Sequence, residues 1–128
     1  MHSRIIYHIV WTTRDRRPVL DRVSSAFLYR YLRAVATQER SRIVALGIVQ
    51  THVHVLITAE TVTDLPRLVQ RFKGGSSVLI NREGHTASGG EVRWAKGYAI
   101  HTVGWRGLDV ACAYVESQAE RHPDERIE

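Results

Sequence analysis

A single cysteine, Cys112, leaves this 128-residue chain with no possible internal disulfide. Stability must therefore come from a packed core, and a lone thiol suits a reducing, cytoplasmic setting. No apolar run approaches the length of a membrane span or a signal-peptide core, which points to a soluble protein with no membrane partner. No internal repeat and no second domain are visible. Residues 1–128 are expected to form one domain, long enough to bury a core unaided. Lysine is almost missing: of 18 basic residues only Lys73 and Lys96 are lysine, and the rest are arginine.

That imbalance gives a formal charge of +5 and a pI near 9.9. The planar guanidinium suits phosphate oxygens, and a basic domain attracts nucleic acid through its surface field. An arginine-rich genome composition explains the same count. The local cluster Arg14, Arg16 and Arg17 is more telling than the total.

Residues 5 to 12 alternate, with Ile5, Tyr7, Ile9 and Trp11 on one face and Ile6, His8, Val10 and Thr12 on the other, as in a central strand. A charged connection over 14 to 18 leads into an amphipathic helix over 24 to 39, with Phe27, Leu28, Tyr31, Leu32 and Val35 at helical spacing. Two β-branched runs, 42 to 49 and 52 to 59, are separated by Gln50 and Thr51, a hairpin spacing. Asp64 can cap a second helix with Leu65, Leu68, Val69 and Phe72 buried. Gly74 and Gly75 mark a break in that helix or a close approach by another group.

Residues 81 to 96 are polar and rich in Gly and Ser, and read as a loop mobile until something binds it. A fourth strand is expected over 97 to 103, and a last helix from Leu108 to about Arg121, with Leu108, Ala111, Cys112, Val115 and Ala119 as its stripe. The order strand, helix, strand, strand, helix, strand, helix predicts an α+β, ferredoxin-like split βαβ fold. Its antiparallel sheet carries helices on one face and an appended C-terminal helix.

Chemistry concentrates in two short pairs. In Thr51-His52-Val53-His54-Val55-Leu56-Ile57, alternation sends both imidazoles to the same side of a strand, where they can share one divalent metal. Alone, such a pair equally suits a wet strand face. On the last helix, Tyr114 lies about 200° around from Cys112, away from the apolar stripe, and Gln118 follows one turn later. Alone, that pair equally suits a solvated face. Together they form a coherent set: His52, His54 and the Gln118 carbonyl around one cation, Mg2+ or Mn2+, with a phosphodiester oxygen polarised there for attack by Tyr114. A free phenol is a weak nucleophile near neutrality, and a nearby cation favours its phenolate.

The His52-Val53-His54 strand, the opening Tyr7-His8-Ile9-Val10-Trp11-Thr12-Thr13 with Arg16-Arg17-Pro18-Val19-Leu20, the Lys73-Gly74-Gly75-Ser76-Ser77 segment and Tyr114-Val115-Glu116-Ser117-Gln118 occur in order over nearly the whole chain. In this the chain resembles the HUH single-tyrosine transposases of small insertion sequences, including their REP-associated relatives. The resemblance implies a homodimer that binds hairpins in single-stranded DNA and uses a divalent metal. It further implies cleavage by tyrosine attack to a 5′-phosphotyrosine and a free 3′-hydroxyl, followed by rejoining. Carried across, His52, His54 and Gln118 are metal ligands and Tyr114 is the nucleophile; in several members the tyrosine helix docks on the other subunit. One position departs from the pattern. The family usually has an acidic residue before the first histidine, where this chain has Thr51, and loss of that carboxylate is expected to weaken metal binding. A non-catalytic, domesticated hairpin-binding regulator is the alternative function, and a metal-free interaction module with two accidental polar pairs is a third.

DNA contacts are expected from Arg14, Arg16 and Arg17 with Arg71 and Lys73. Ser76 and Ser77 suit phosphate or helix capping equally. His8 and His101 read as strand histidines and not as ligands, Cys112 as a small buried hydrophobe, and Tyr98 as a packing residue and rival nucleophile.

Overall fold

The computed structural model describes residues 4–128. Four strands, β1 (Arg4–Thr12), β2 (Ser41–Ile48), β3 (His52–Glu60) and β4 (Ala99–Val103), pair antiparallel in the order β2-β3-β1-β4. This is the α+β, split βαβ arrangement expected from the alternation and spacing of the apolar runs. β3 is buried along both faces except at Glu60, as an inner strand covered on two sides must be.

The odd face of β1 and β3 builds the main core. Ile9, Trp11, Val53, Val55 and Ile57 meet Phe27, Leu28, Leu32 and Val35 of α1 (Arg22–Gln38) and Leu68, Val69 and Phe72 beyond it. Asp21 starts α1 with a reciprocal capping box: its carboxylate accepts from the Ser24 amide, and the Ser24 hydroxyl accepts from the Asp21 amide. Asp64 caps α2 (Leu65–Gln70) through the Arg67 amide. No helix among the described residues is long and apolar enough to cross a membrane.

Gly74 and Gly75 do not break the second helix. The chain passes through a π-helical turn, Arg71–Gly75, into α3 (Ser76–Glu83). A Cβ on Gly75 would overlap the Tyr31 hydroxyl, which donates to the Arg71 carbonyl at 3.1 Å. Gly75 thus marks a close approach by a side chain, while Gly74 has open space around it. The helix also outlasts the expected loop start at 81, because Phe72, Ser76 and Ile80 continue one buried stripe; Gly84, at φ 72°, ends it in the left-handed region. The following segment is tethered: Val92 is buried and exchanges two hydrogen bonds with Asn81, and Trp94 stands edge-on to Trp11.

The expected last helix is divided. α4 (Leu108–Glu116) lies over β2 and β3 on the even face, where Val115 meets Ile6, Ala45 and Leu56. It stops at Ser117, and α5 (Gln118–Arg121) and a 3-10 turn, Pro123–Glu125, carry the chain back to the β2–β3 turn. There the Gln50 amide donates to the Glu125 carbonyl at 2.7 Å, and Ile127 packs against the core.

Candidate active site

Register assembles the histidines. His8 on β1 lies opposite His101 on β4 and opposite Leu56 on β3, so His54, two residues earlier on β3, is its diagonal neighbour on the same face. His101, His8, His54 and His52 therefore form a row across three strands. His8 Nε2 lies 2.8 Å from His54 Nδ1, and His8 Nδ1 lies 3.3 Å from His101 Nε2. His8, His52 and His54 are all buried.

A missing side chain admits the tyrosine helix. Gly47 on β2 pairs with His54, and a Cβ there would overlap the Val115 carbonyl oxygen of α4. With glycine at that point, the Tyr114 ring stands edge-on to His54 and His8, with centroids 5.7 and 6.0 Å away. Tyr114 stays 37% exposed while Gln118 is only 1% exposed. Gln118 Nε2 donates to the Tyr114 carbonyl at 2.9 Å, which turns Oε1 toward His52 Nε2, 3.4 Å away. Arg121 lies over the tyrosine ring, its Cζ 4.6 Å from the centroid. Within one chain, then, His52, His54, Tyr114 and Gln118 come together. Tyr98, the rival nucleophile, is exposed beside β4.

At the His52 end, Nδ1 lies 2.9 Å from the Thr51 hydroxyl, which donates to the Glu125 carboxylate. His122 stands perpendicular to His52 with centroids 5.1 Å apart, and its Nδ1 is 3.5 Å from Glu125. The Thr51 hydroxyl, helped by His52, Arg16 and His122, holds the Glu125 carboxyl below the usual carboxylate range. Burial pushes His8, His52 and His54 below the ordinary histidine value, His54 to about 3, with neighbouring His52, His8 and His122 adding to the effect on His54. The imidazoles are thus neutral at neutral pH, as metal ligands must be.

No cluster of three or more His, Cys, Asp or Glu side chains arranged around a common point exists among the described residues, so a metal here depends on the Gln118 amide. The donor set fits one. Both imidazoles engage protein groups through Nδ1 and keep Nε2 for another partner, and the amide is turned so that its oxygen faces His52.

Arg14, Arg16 and Arg17 are exposed on the turn after β1, where Asp15 and Arg16 adopt positive φ of 55° and 51°. Arg14 and Arg17 join Arg93 around a cleft of about 470 Å³. Thr13 ties this turn to the site: its amide donates to the Thr51 carbonyl at 2.8 Å and its hydroxyl to the Arg17 carbonyl at 2.7 Å. Lys73 and Ser77 line a neighbouring depression with Arg14 and Arg93, and these residues also have partners within the chain. Arg71 pairs with Glu39 at 2.7 Å, and Lys73 Nζ donates to the Ala95 and Gly97 carbonyls, holding the segment before β4. Ser76 is fully buried, donating to the Lys73 carbonyl and accepting from Trp94, so it presents nothing to a phosphate; Ser77 bonds the Gly74 carbonyl within the helix.

Sequence pattern alone does not mark His8, Arg121, His122 or Glu125 as site residues. Arg121 carries a usable signal, since positions 114, 118 and 121 share a helical face. His8 requires the strand register, and Glu125 requires the path of the chain after α5.

Residues 1–118 match the family model described as transposase, IS200-like. The ISDra2 transposase TnpA of Deinococcus radiodurans is 28% identical over 119 residues, covering 90% of this chain and 84% of that protein. Two solved structures share the fold. One is a Deinococcus radiodurans protein crystallised as a candidate transposase (TM-score 0.69, 24% identity, 100% of this chain and 95% of that one). The other is a REP-associated tyrosine transposase bound to a REP hairpin (TM-score 0.72, 14% identity, 95% and 71%).

Proposed function

This chain belongs to the IS200-like transposase family, and we propose that it is a metal-dependent single-strand DNA endonuclease and strand transferase that acts at hairpin-flanked sites through Tyr114. The observation that carries the reading is the meeting of the two polar pairs: Gln118 Oε1 lies 3.4 Å from His52 Nε2, and the Tyr114 ring is edge-on to His54. Neither contact follows from core packing alone.

In this reading His52, His54 and Gln118 would hold one Mg2+ or Mn2+, which when bound would supply charge to a non-bridging phosphate oxygen and favour the tyrosinate. Tyr114, exposed and free of the apolar stripe, attacks the phosphorus in line; the P–O bond to the 3′-oxygen breaks, leaving a 5′-phosphotyrosine and a 3′-hydroxyl. Arg121 lies over the ring and helps to hold it in place. Rejoining reverses these steps: a 3′-hydroxyl attacks the phosphotyrosine, and the phenolate departs.

The basic turn at Arg14, Arg16 and Arg17 adjoins the His52 end of the site and suits a phosphate backbone leading into it. The hairpin in the bound relative makes a folded single strand the natural substrate to test. A homodimer is the proposed assembly. β4 is an outer strand, and Tyr98, Ile100, Trp105 and Val110 are exposed just before, on and after it, a combination that a second copy would cover. The reading places the protein in the cytoplasm, with its DNA.

The test mixes protein, labelled single-stranded hairpin DNA and Mn2+, and looks for a denaturation-resistant adduct. Wild type should form it; Tyr114→Phe should fold and bind DNA but form none. An undiminished adduct in that variant would move the nucleophile, with Tyr98 next to be tried. Binding without an adduct in the wild type would make the protein a hairpin-binding regulator.

A further inference from the structure

The Thr51 hydroxyl donates to Glu125 and lies 2.9 Å from His52 Nδ1. We infer that Glu125, reaching back from the C-terminal 3-10 turn, is a positioning residue that fixes the tautomer of His52 through the Thr51 hydroxyl. The family match ends at residue 118, so nothing in it assigns Glu125 a role.

Counting protons decides the tautomer. A threonine hydroxyl has one hydrogen, and a carboxylate can only accept. Once that hydrogen goes to Glu125, the contact between Thr51 and His52 has a donor only if His52 Nδ1 carries the proton. In a neutral ring this leaves a lone pair on Nε2, the atom facing Gln118. Gln118 cannot supply a hydrogen there, because its Nε2 is turned to the Tyr114 carbonyl at 2.9 Å. Two acceptor atoms therefore face each other, an arrangement completed by a cation. Without Glu125 the Thr51 hydroxyl is free to donate to Nδ1, and the ring can move its proton to Nε2 and satisfy Gln118 directly. The ligand would then be blocked by its own hydrogen.

The backbone holds Glu125 where this requires. The Gln50 amide donates to the Glu125 carbonyl at 2.7 Å, Gln50 Nε2 donates to the Arg126 carbonyl at 2.9 Å, and the Glu125 amide bonds the His122 carbonyl at 2.9 Å. The Thr51 carbonyl is in turn held by the Thr13 amide at 2.8 Å. Both ends of the relay are fixed by main chain, so truncating the Glu125 side chain leaves the turn anchored. Two other groups face the carboxylate, Arg16 at 3.9 Å and His122 at 3.5 Å, and neither reaches His52 Nδ1 by a hydrogen bond.

The inference rests on the proposed metal reading for its purpose but not for its test. Long-range 1H–15N correlation spectra of the metal-free, 15N-labelled protein at neutral pH report which His52 nitrogen is protonated. Wild type should show Nδ1–H and Glu125→Ala should show Nε2–H. Thr51→Asp in the Glu125→Ala background should restore Nδ1–H, since a carboxylate would again be hydrogen-bonded to that atom. Manganese titration should show a loss of about 10- to 100-fold in affinity for Glu125→Ala and recovery in the double variant. A His52 that stays Nδ1–H in Glu125→Ala, with thermal melts showing the variant folded, overturns the inference; so does a wild type with Nε2–H. If the wild type binds no manganese but the tautomer follows Glu125, the metal reading fails and the positioning role stands.

Discussion

Gly47→Ala separates positioning of the tyrosine helix from everything else in the fold. A methyl at that point would overlap the Val115 carbonyl oxygen and come within 3.0 Å of Gln118 Cγ and 3.1 Å of Val115 C, against ordinary contact beginning at 3.4 Å. The nearest group is backbone, so no rotamer change relieves it, and α4 must retreat by more than about 1 Å. Overpacking of this kind costs roughly 1–3 kcal/mol of stability, which a domain of this size can survive. Adduct formation depends on Tyr114 reaching a fixed phosphorus. A misplacement of about 1 Å there reduces the rate on the order of 100-fold, or about 2.7 kcal/mol of barrier. Gly74→Ala is the control. A Cβ on Gly74 meets nothing within 4 Å, and the position is helical, so alanine should stabilise by roughly 0.4–1 kcal/mol and leave the adduct rate unchanged. Urea denaturation gives the stabilities, and single-turnover adduct formation on saturating hairpin DNA gives the rates. A Gly47→Ala protein that reacts as fast as wild type, or a Gly74→Ala protein that loses as much, would refute the placement of α4.

Two further outcomes can be measured. If DNA phosphates lie along the turn after β1, removing charge at Arg14 and Arg17 should lower affinity and flatten its salt dependence by roughly 0.7 log units per log unit of salt for each single-strand phosphate no longer neutralised; Arg126→Ala, outside the cleft that Arg14 and Arg17 line, should do neither, and unchanged slopes in all variants would put the DNA on another face. His8, His52 and His54 all titrate below the ordinary value of 6.5. The unfolded chain therefore binds protons at a pH where the folded one does not, so stability is greatest above 6.5 and falls as the pH drops below it. Denaturation midpoints of metal-free protein between pH 7.5 and about 5, above the range in which Asp and Glu titrate, should decline. A flat profile there would mean that these imidazoles are not buried neutral.

Local pattern made most of the fold legible. The alternation of residues 5 to 12 located an inner strand because both its faces are covered, and Asp64 marked a helix start because its carboxylate does meet the Arg67 amide. Candidate site residues were legible where spacing alone puts side chains on one face, as with His52 and His54 or Tyr114 and Gln118. What depended on pairing between distant segments was not. His8 reads as one more strand residue until the β1–β3 register sets it diagonal to His54. Nor does anything local reveal that Ala95, Glu39 and Trp94 engage Lys73, Arg71 and Ser76. Gly47 carries no sequence signal at all, since its importance is the proximity of a helix that follows some 60 residues later in chain order.

The break at Ser117 shows why an i, i+4 pair is not enough to describe this site. In an unbroken helix, Tyr114 and Gln118 would share one face at similar depth, both buried or both wet. Here the Tyr114 carbonyl accepts from the Ser117 hydroxyl at 3.1 Å and from Gln118 Nε2 at 2.9 Å, and side-chain bonds of this kind compete with the helical ladder. The helix stops, α5 turns in toward the sheet, and Gln118 becomes almost fully buried while Tyr114 remains over a third exposed. That difference in depth meets two opposed chemical needs. A ligand group must be held rigidly and away from water, whereas a nucleophile for a polymer must be reachable from outside. Ser117→Ala removes the hydroxyl bond but leaves the Gln118 bond, so α4 and α5 should remain separate; Gln118→Ala removes the buried amide and its hold on the same carbonyl. The larger defect in adduct formation is therefore expected from Gln118→Ala, and equal defects in the two variants would assign the division of the helix to Ser117 instead.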